Sequence, residues 1–174
     1  MVQLRNLYMT YLENNIQFAN YEYILIQDFD LWGYTYIDGF LSTGFYLSTD
    51  PTIDAICSNG IRHNQFLAGL ISYKTYFDPY AHKDEFDQKW TVNSNNLWSS
   101  IFRYYSCNNH LIKVQSCFSG QTIYRRQSLK GKRYRTYLNI NQQPICEHVG
   151  LHETLENIYL NSEMIFYIME NNLS

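Results

Sequence analysis

The sequence predicts an α/β fold, a mixed sheet flanked by helices, and three observations carry that expectation. Leu4, Leu7, Tyr8, Tyr11 and Leu12 recur at three- and four-residue spacing, the period of an amphipathic helix, which would end at Asn14-Asn15. Residues 23–26 then form a short β-branched and aromatic run, the pattern of a buried strand, which stops at Asp28-Phe29-Asp30 and turns at Gly33. Beyond it, strand-like and helix-like stretches mix to the end of the chain with no repeat and no linker. Residues 1–174 therefore read as one domain.

The later elements follow in order. Residues 37–47 suit a second helix, with Asp38 near its start. Residues 53–57 alternate weakly and run into Ser58-Asn59-Gly60, a strand followed by a turn. Residues 73–80 carry aromatics on both sides of Asp78-Pro79, which suits an edge strand. Leu97, Trp98, Ile101, Phe102 and Tyr105 would share one helix face. Residues 111–126 read as strands interrupted by a bulge or bend at Ser119-Gly120. A short helix over 147–157 and strands at 158–160 and 165–168 complete the prediction.

Composition excludes several classes. With 45% hydrophobic and 17% charged residues the chain is ordinary globular material, and nothing in it reads as disordered. A net charge of −3, without an aromatic-basic recognition motif, gives no reason to expect nucleic acid or an anionic membrane as partner. No apolar run approaches the ~20 residues that span a bilayer, and the N-terminus lacks a secretory pattern. Cys57, Cys107, Cys117 and Cys146 are scattered without a Cys-x-x-Cys pair, the usage expected of reduced thiols in an intracellular, cytoplasmic protein. A zinc site from Cys107, His110, Cys117 and Cys146 would match no standard spacing. The 17 tyrosines suit sugar-stacking platforms and AT-rich codon usage equally, so their number decides nothing.

Asp28 and Asp30 are the first candidate site. A strand that ends in two carboxylates delivers them to the carboxyl edge of a sheet, where open α/β folds hold ligands. Two anions a few ångströms apart call for a compensating cation. Hard oxygen ligands suit Mg²⁺ or Mn²⁺, which also hold substrate phosphates. Turn and cap carboxylates produce the same pattern.

Five blocks in order carry a resemblance. They are Arg5-Asn6-Leu7-Tyr8 with Asp28-Phe29-Asp30-Leu31-Trp32-Gly33 and Asp38-Gly39-Phe40; residues 54–60; Tyr76-Phe77-Asp78-Pro79-Tyr80-Ala81; residues 116–125; and Cys146-Glu147-His148-Val149-Gly150-Leu151-His152. Over roughly residues 2–165 the chain resembles GT-A-fold glycosyltransferases, especially those encoded by large DNA viruses, and more distantly the fungal capsule-associated mannosyltransferases. The resemblance implies a GT-A-like, Rossmann-like mixed sheet and transfer of a sugar from a nucleotide diphosphate sugar to a glycan or glycoprotein acceptor. It implies a Mn²⁺ or Mg²⁺ cofactor and, for a viral product, the host cytoplasm. Family members carry a further N-terminal portion that forms much of the nucleoside pocket, so the expectation is a truncated product or a second chain supplying that half. The family also tends to have two glycines where this chain has Ser119-Gly120.

The resemblance assigns roles by position. Asp30 would ligate the metal, and Asp28 would contact ribose or metal-bound water. His148 and His152, four apart and so on one helix face, are candidates to complete the metal shell, with His152 preferred. Glu147 stands where inverting members carry a catalytic base; an acid at a helix N-terminus is the alternative. Arg125 and Arg126 open a run to Arg135 that holds six of the thirteen basic residues. That run would close over the diphosphate or grip an anionic acceptor, or else be a solvated loop or localisation tag. Trp32, Tyr34 and Trp98 are candidate sugar platforms, or core aromatics. A haloacid-dehalogenase-type phosphotransferase also ends a strand in Asp-x-Asp, but Trp32 stands at its threonine position and no Gly-Asp-x-x-x-Asp follows. The second hypothesis is a glycosyltransferase remnant that binds sugar or a partner without turnover.

Overall fold

The computed structural model describes residues 1–28, 33–66, 71–78, 80–85, 111–139 and 142–168. The predicted helix over 97–105, Trp98, Pro79 and the Cys107–His110 half of the zinc candidate lie outside them. The fold is α/β: an open mixed sheet of eight strands among the described residues, with helices on both faces.

Two long strands form its spine. β3 (Ala55–Phe66) and β8 (Ile158–Ile168) run parallel. The other neighbours are antiparallel: β7 (Gln121–Arg125) and β4 (Ile71–Tyr76) on β3, and β6 (Leu111–Ser116) and β2 (Gly33–Thr35) on β8. β1 (Tyr23–Gln27) pairs with β7, and β5 (Lys83–Asp84) with β6. β1 is thus a sheet edge, and Leu25 is exposed, so the expectation of a buried strand fails there.

α1 (Val2–Asn14), the four-residue α3 (Arg126–Leu129) and α4 (Glu147–His152) contribute Met9, Leu129, Val149 and Leu151 to a core with Ala55, Cys57, Tyr124, Ile158 and Leu160. On the second core, Leu47 of α2 (Ile37–Thr49) meets Ile53, Ile56, Ile123 and Met164. Neighbouring positions on β3, such as Ile56 and Cys57, go to opposite cores, as the two-residue period of a strand requires. No helix of the described residues is long and apolar enough to cross a membrane.

Three expectations are corrected. Ser58-Asn59-Gly60 is the middle of β3 and no turn. Residues 158–160 and 165–168 belong to one strand, with a register shift opposite Ser58 and Asn59. The inserted residues reset the alternation: Leu160 faces the α1 side and Met164 the α2 side. Buried Asn161 pegs this bulge to α2 by donating to Gly39 O, Ser42 Oγ and Thr43 Oγ1, at 3.2, 2.9 and 2.8 Å. Finally, Cys57 and Cys117 are joined in a disulfide, so they are not the reduced thiols expected, and cysteine usage no longer argues for a reducing compartment. Of the described cysteines Cys146 is free and buried.

α2 lies so close to the bulge that a Cβ on Gly39 would sit 1.9 Å from Glu163 O, whereas one on Gly44 meets nothing within 4 Å. Gly39→Ala should therefore destabilise the protein by about 3 kcal/mol through forced overpacking. Gly44→Ala should stabilise it by up to about 1 kcal/mol through helix propensity. Urea midpoints of the two variants check this; equal shifts would contradict the docking of α2 on β8.

Candidate functional site

The site begins with one cation. Arg5 on α1 donates from Nη2 to Asp28 Oδ1 and from Nε to Glu147 Oε1, both at 3.0 Å. Its guanidinium lies 5.7 Å from the Phe118 ring centroid and 5.5 Å from that of Tyr134, within cation–π range. The side chain is only 11% exposed. α1 is held there by a reciprocal pair of bonds, Asn6 Nδ2 to Tyr134 O at 2.9 Å and Tyr134 N to Asn6 Oδ1 at 2.8 Å. Partial burial alone would lower the Arg5 pKa; the neighbouring Tyr8 hydroxyl, the bond to Asp28 and the Asp28 charge outweigh it and raise it.

Two turns shape the opposite wall. Asp28 follows β1, where its N–H donates to Gly120 O at 2.9 Å. Ser119 and Gly120 both adopt left-handed backbone, φ 50° and 89°. Ser119 is an uncommon occupant of that region, and its Oγ donates to Phe77 O at 3.1 Å. Gly60 lets these loops meet over β3: a Cβ there would lie 2.7 Å from Ser119 Cβ and 3.1 Å from Phe77 Cβ.

Asp78, next along, is also left-handed at φ 63°. Its Oδ1 accepts the Ala81 N–H at 3.3 Å. Burial pushes its carboxyl up from 3.8 to about 7, with the charges of Asp28 and Glu147 adding to the rise and backbone N–H groups opposing it. Asp78 carries no role in the sequence reading beyond being a carboxylate inside one of the resembling blocks. Arg5 went equally unassigned. Cys146 lies against the same acids, and burial, then the charge of Asp78, pushes its thiol up to about 12, which leaves it protonated and unreactive.

The expected site residues divide. Asp28 and Glu147 are brought together on Arg5. Asp30 and Trp32 lie outside the described residues. Arg125 and Arg126 are at the wrong end of the sheet: β1 pairs Tyr23 with Arg125 and Gln27 with Gln121, so Asp28 and Arg125 mark opposite ends of the strand. Arg125 closes the C-terminus of α2 by donating to Leu47 O, Asp50 O and Ile53 O, a role suited to a cation there. Arg126 donates to Ala19 O at 2.8 Å. Tyr34 is exposed and stacks on Tyr167.

His152 is not open to a metal as expected. Its Nε2 is 2.7 Å from Tyr124 OH, and its Nδ1 is 3.0 Å from Ser116 Oγ and accepts the Cys117 N–H at 3.4 Å. Burial lowers it to about 3, so it is a neutral core histidine. His148 stacks on Phe118 at 3.5 Å between centroids, and neither ring nitrogen has a hydrogen-bond partner among the described residues. Burial, then the charge of Arg5, holds it well below the ordinary histidine range. Among the described residues no group of three or more His, Cys, Asp or Glu is arranged to hold a metal ion.

Comparison with family models gives no match, and comparison with curated proteins gives none either.

Asp78 makes the pH dependence testable. Its pKa is raised in the folded state, so its contribution to stability is full below pH 3.8 and lost as pH rises through about 7. The loss amounts to at most about 4 kcal/mol. Asp78→Asn should remove it, so the stability of the variant relative to wild type should grow by a few kcal/mol from pH 4 to pH 8. Denaturant titrations across that range check it, and parallel curves would refute the burial of a strained, proton-holding Asp78.

Proposed function

We propose that the chain is a metal-dependent GT-A-type glycosyltransferase, transferring a sugar from a nucleotide diphosphate sugar to a glycan or glycoprotein acceptor. One observation carries this reading: Asp28 and Glu147, to which the resemblance gives the donor-side and base roles, share the single guanidinium of Arg5. An α/β sheet that brings such groups together beyond a strand's carboxyl end is the usual placing of a ligand site in this fold class.

Asp28 suits a Mn²⁺ or Mg²⁺ ion in kind, as a hard oxygen donor next to the expected ligand Asp30. His152 does not fit, because both ring nitrogens are engaged in the core. When bound, the ion supplies Lewis-acid neutralisation of the leaving diphosphate. The protein's own part is positioning. Arg5 holds Asp28 and Glu147 in fixed relation. Glu147 accepts the acceptor hydroxyl proton as that oxygen bonds to the anomeric carbon, while the C–O bond to the diphosphate breaks and its electron pair leaves with the nucleotide. Gly120 O of the Ser119-Gly120 turn accepts the Asp28 N–H, and the Phe118 ring lies within cation–π range of the Arg5 guanidinium.

A second reading, a non-catalytic remnant that binds sugar or a partner chain, draws on the same pairing, since Arg5 engages both carboxylates at once. Thermal unfolding with Mn²⁺ and a panel of nucleoside diphosphates separates the two, because a ligand of the native state must raise the midpoint. A rise with Mn²⁺ plus nucleotide that vanishes in Asp30→Ala is expected of a working donor site. Glu147→Gln should keep that rise and lose transfer by 10²-fold or more, roughly the contribution of a general base. No rise in well-folded protein favours the remnant.

A further inference from the structure

A cavity of about 490 Å³ lies against the end of β1 away from Asp28, lined by Met9, Leu12 and Glu13 of α1, Ile24 of β1, and Leu129 and Lys130 at the end of α3, among others. Its size falls within the range of small-molecule sites. Ile24 is four positions before Asp28, about 13 Å along the strand, so the cavity is separate from the site of the proposed transfer reaction and does not depend on that reading.

The lining is divided by chemistry. Met9 and Leu129 are buried core residues, and with Leu12 and Ile24 they make an apolar floor. Glu13, the one carboxylate of the lining, is already compensated: Arg133 donates to it at 2.9 and 2.6 Å and the Gly131 N–H at 2.7 Å. Those bonds, Arg133 foremost, hold its pKa below the ordinary value. Among the described residues the Arg126 side chain donates to two neutral carbonyls, Ala19 O and Leu12 O, and to no carboxylate, so its charge is left unbalanced there. Lys130 is exposed at the rim and forms no ion pair among the described residues. The result is an apolar floor under a net positive rim.

We propose that this cavity is a binding site for a small organic anion with an apolar body, a carboxylate or phosphate ester on a chain or ring. The apolar body lies on Met9, Leu12, Ile24 and Leu129 and is driven there by loss of apolar surface to water. The headgroup meets Lys130 and Arg126, and Gln127 and Asn14 are within the lining to hydrogen-bond it.

The test uses the full chain with sodium decanoate, decyl phosphate and decyltrimethylammonium followed by methyl NMR. At least one of the two anions should give saturable shifts at the methyl groups of Met9, Leu12, Ile24 and Leu129, and the cation of equal chain length should give none. Comparing decanoate with decyl phosphate identifies the headgroup. Lys130→Glu, a surface change that leaves the fold intact, should weaken the better anion about tenfold, as expected for loss of one charged contact. The proposal is overturned if neither anion saturates, if the cation binds as well, if the shifts map elsewhere, or if Lys130→Glu binds the anion unchanged.

Discussion

The guanidinium of Arg5 is the interaction on which the candidate site depends. It draws together three stretches far apart in sequence: α1, the end of β1, and the start of α4. Two carboxylates held this close and half out of water would repel strongly without it. The net gain of such a pair is modest after desolvation, but deleting the cation would strand two anions, which is far more costly. The aromatic rings of Phe118 and Tyr134 lie within cation–π range and add to the attraction that keeps the guanidinium in place. The same geometry explains Asp78. Arg5 spends its donors on Asp28 and Glu147, and Asp78 is left with neutral backbone N–H groups, so burial dominates and pushes its carboxyl up to about 7.

Backbone constraint supplies the opposite wall. Asp78, Ser119 and Gly120 are all left-handed, two of them without the freedom of glycine. Such residues cost free energy and persist where surrounding structure over-determines them, which is common at functional sites. Here that structure is the contact of two loops over Gly60, fastened by Ser119 Oγ on Phe77 O and by Ser58 Oγ on Ser119 O. Ser119 thus contributes more than its backbone conformation. Its hydroxyl is the fastener.

Much of the fold was legible because local period and burial agree: α1, α2 and β1 stand within two or three residues of their expected bounds. Failures came where tertiary structure overrides local pattern. Ser58-Asn59-Gly60 has turn chemistry, yet Gly60 serves close approach, and Ser58 Oγ and Asn59 Nδ2 donate to Ser119 O and Ser162 O inside the fold. β8 read as two strands because its bulge reverses the alternation half-way. The Cys57–Cys117 pair could not be read from spacing, since a separation of 60 residues carries no signal until β3 and the end of β6 are placed. At the site, Asp28 and Glu147 were legible by type and position. Arg5 and Asp78 were not, because their roles exist only through contacts across the chain.

The distribution of positive charge shows why density in sequence misleads. Residues 125–135 are the most basic stretch of the chain, yet half of its cations serve the scaffold. Arg125 caps α2, Arg133 ties to Glu13 and Arg135 to Glu153. A guanidinium fully engaged with backbone carbonyls and fixed carboxylates has few donors left for a diphosphate. A single arginine can be aimed wherever its helix is anchored, and Asn6 on Tyr134 anchors Arg5 at Asp28. A cation's place in a site is therefore set by where the scaffold anchors it, and by that measure Arg5, and not the basic run, belongs to the Asp28–Glu147 pair.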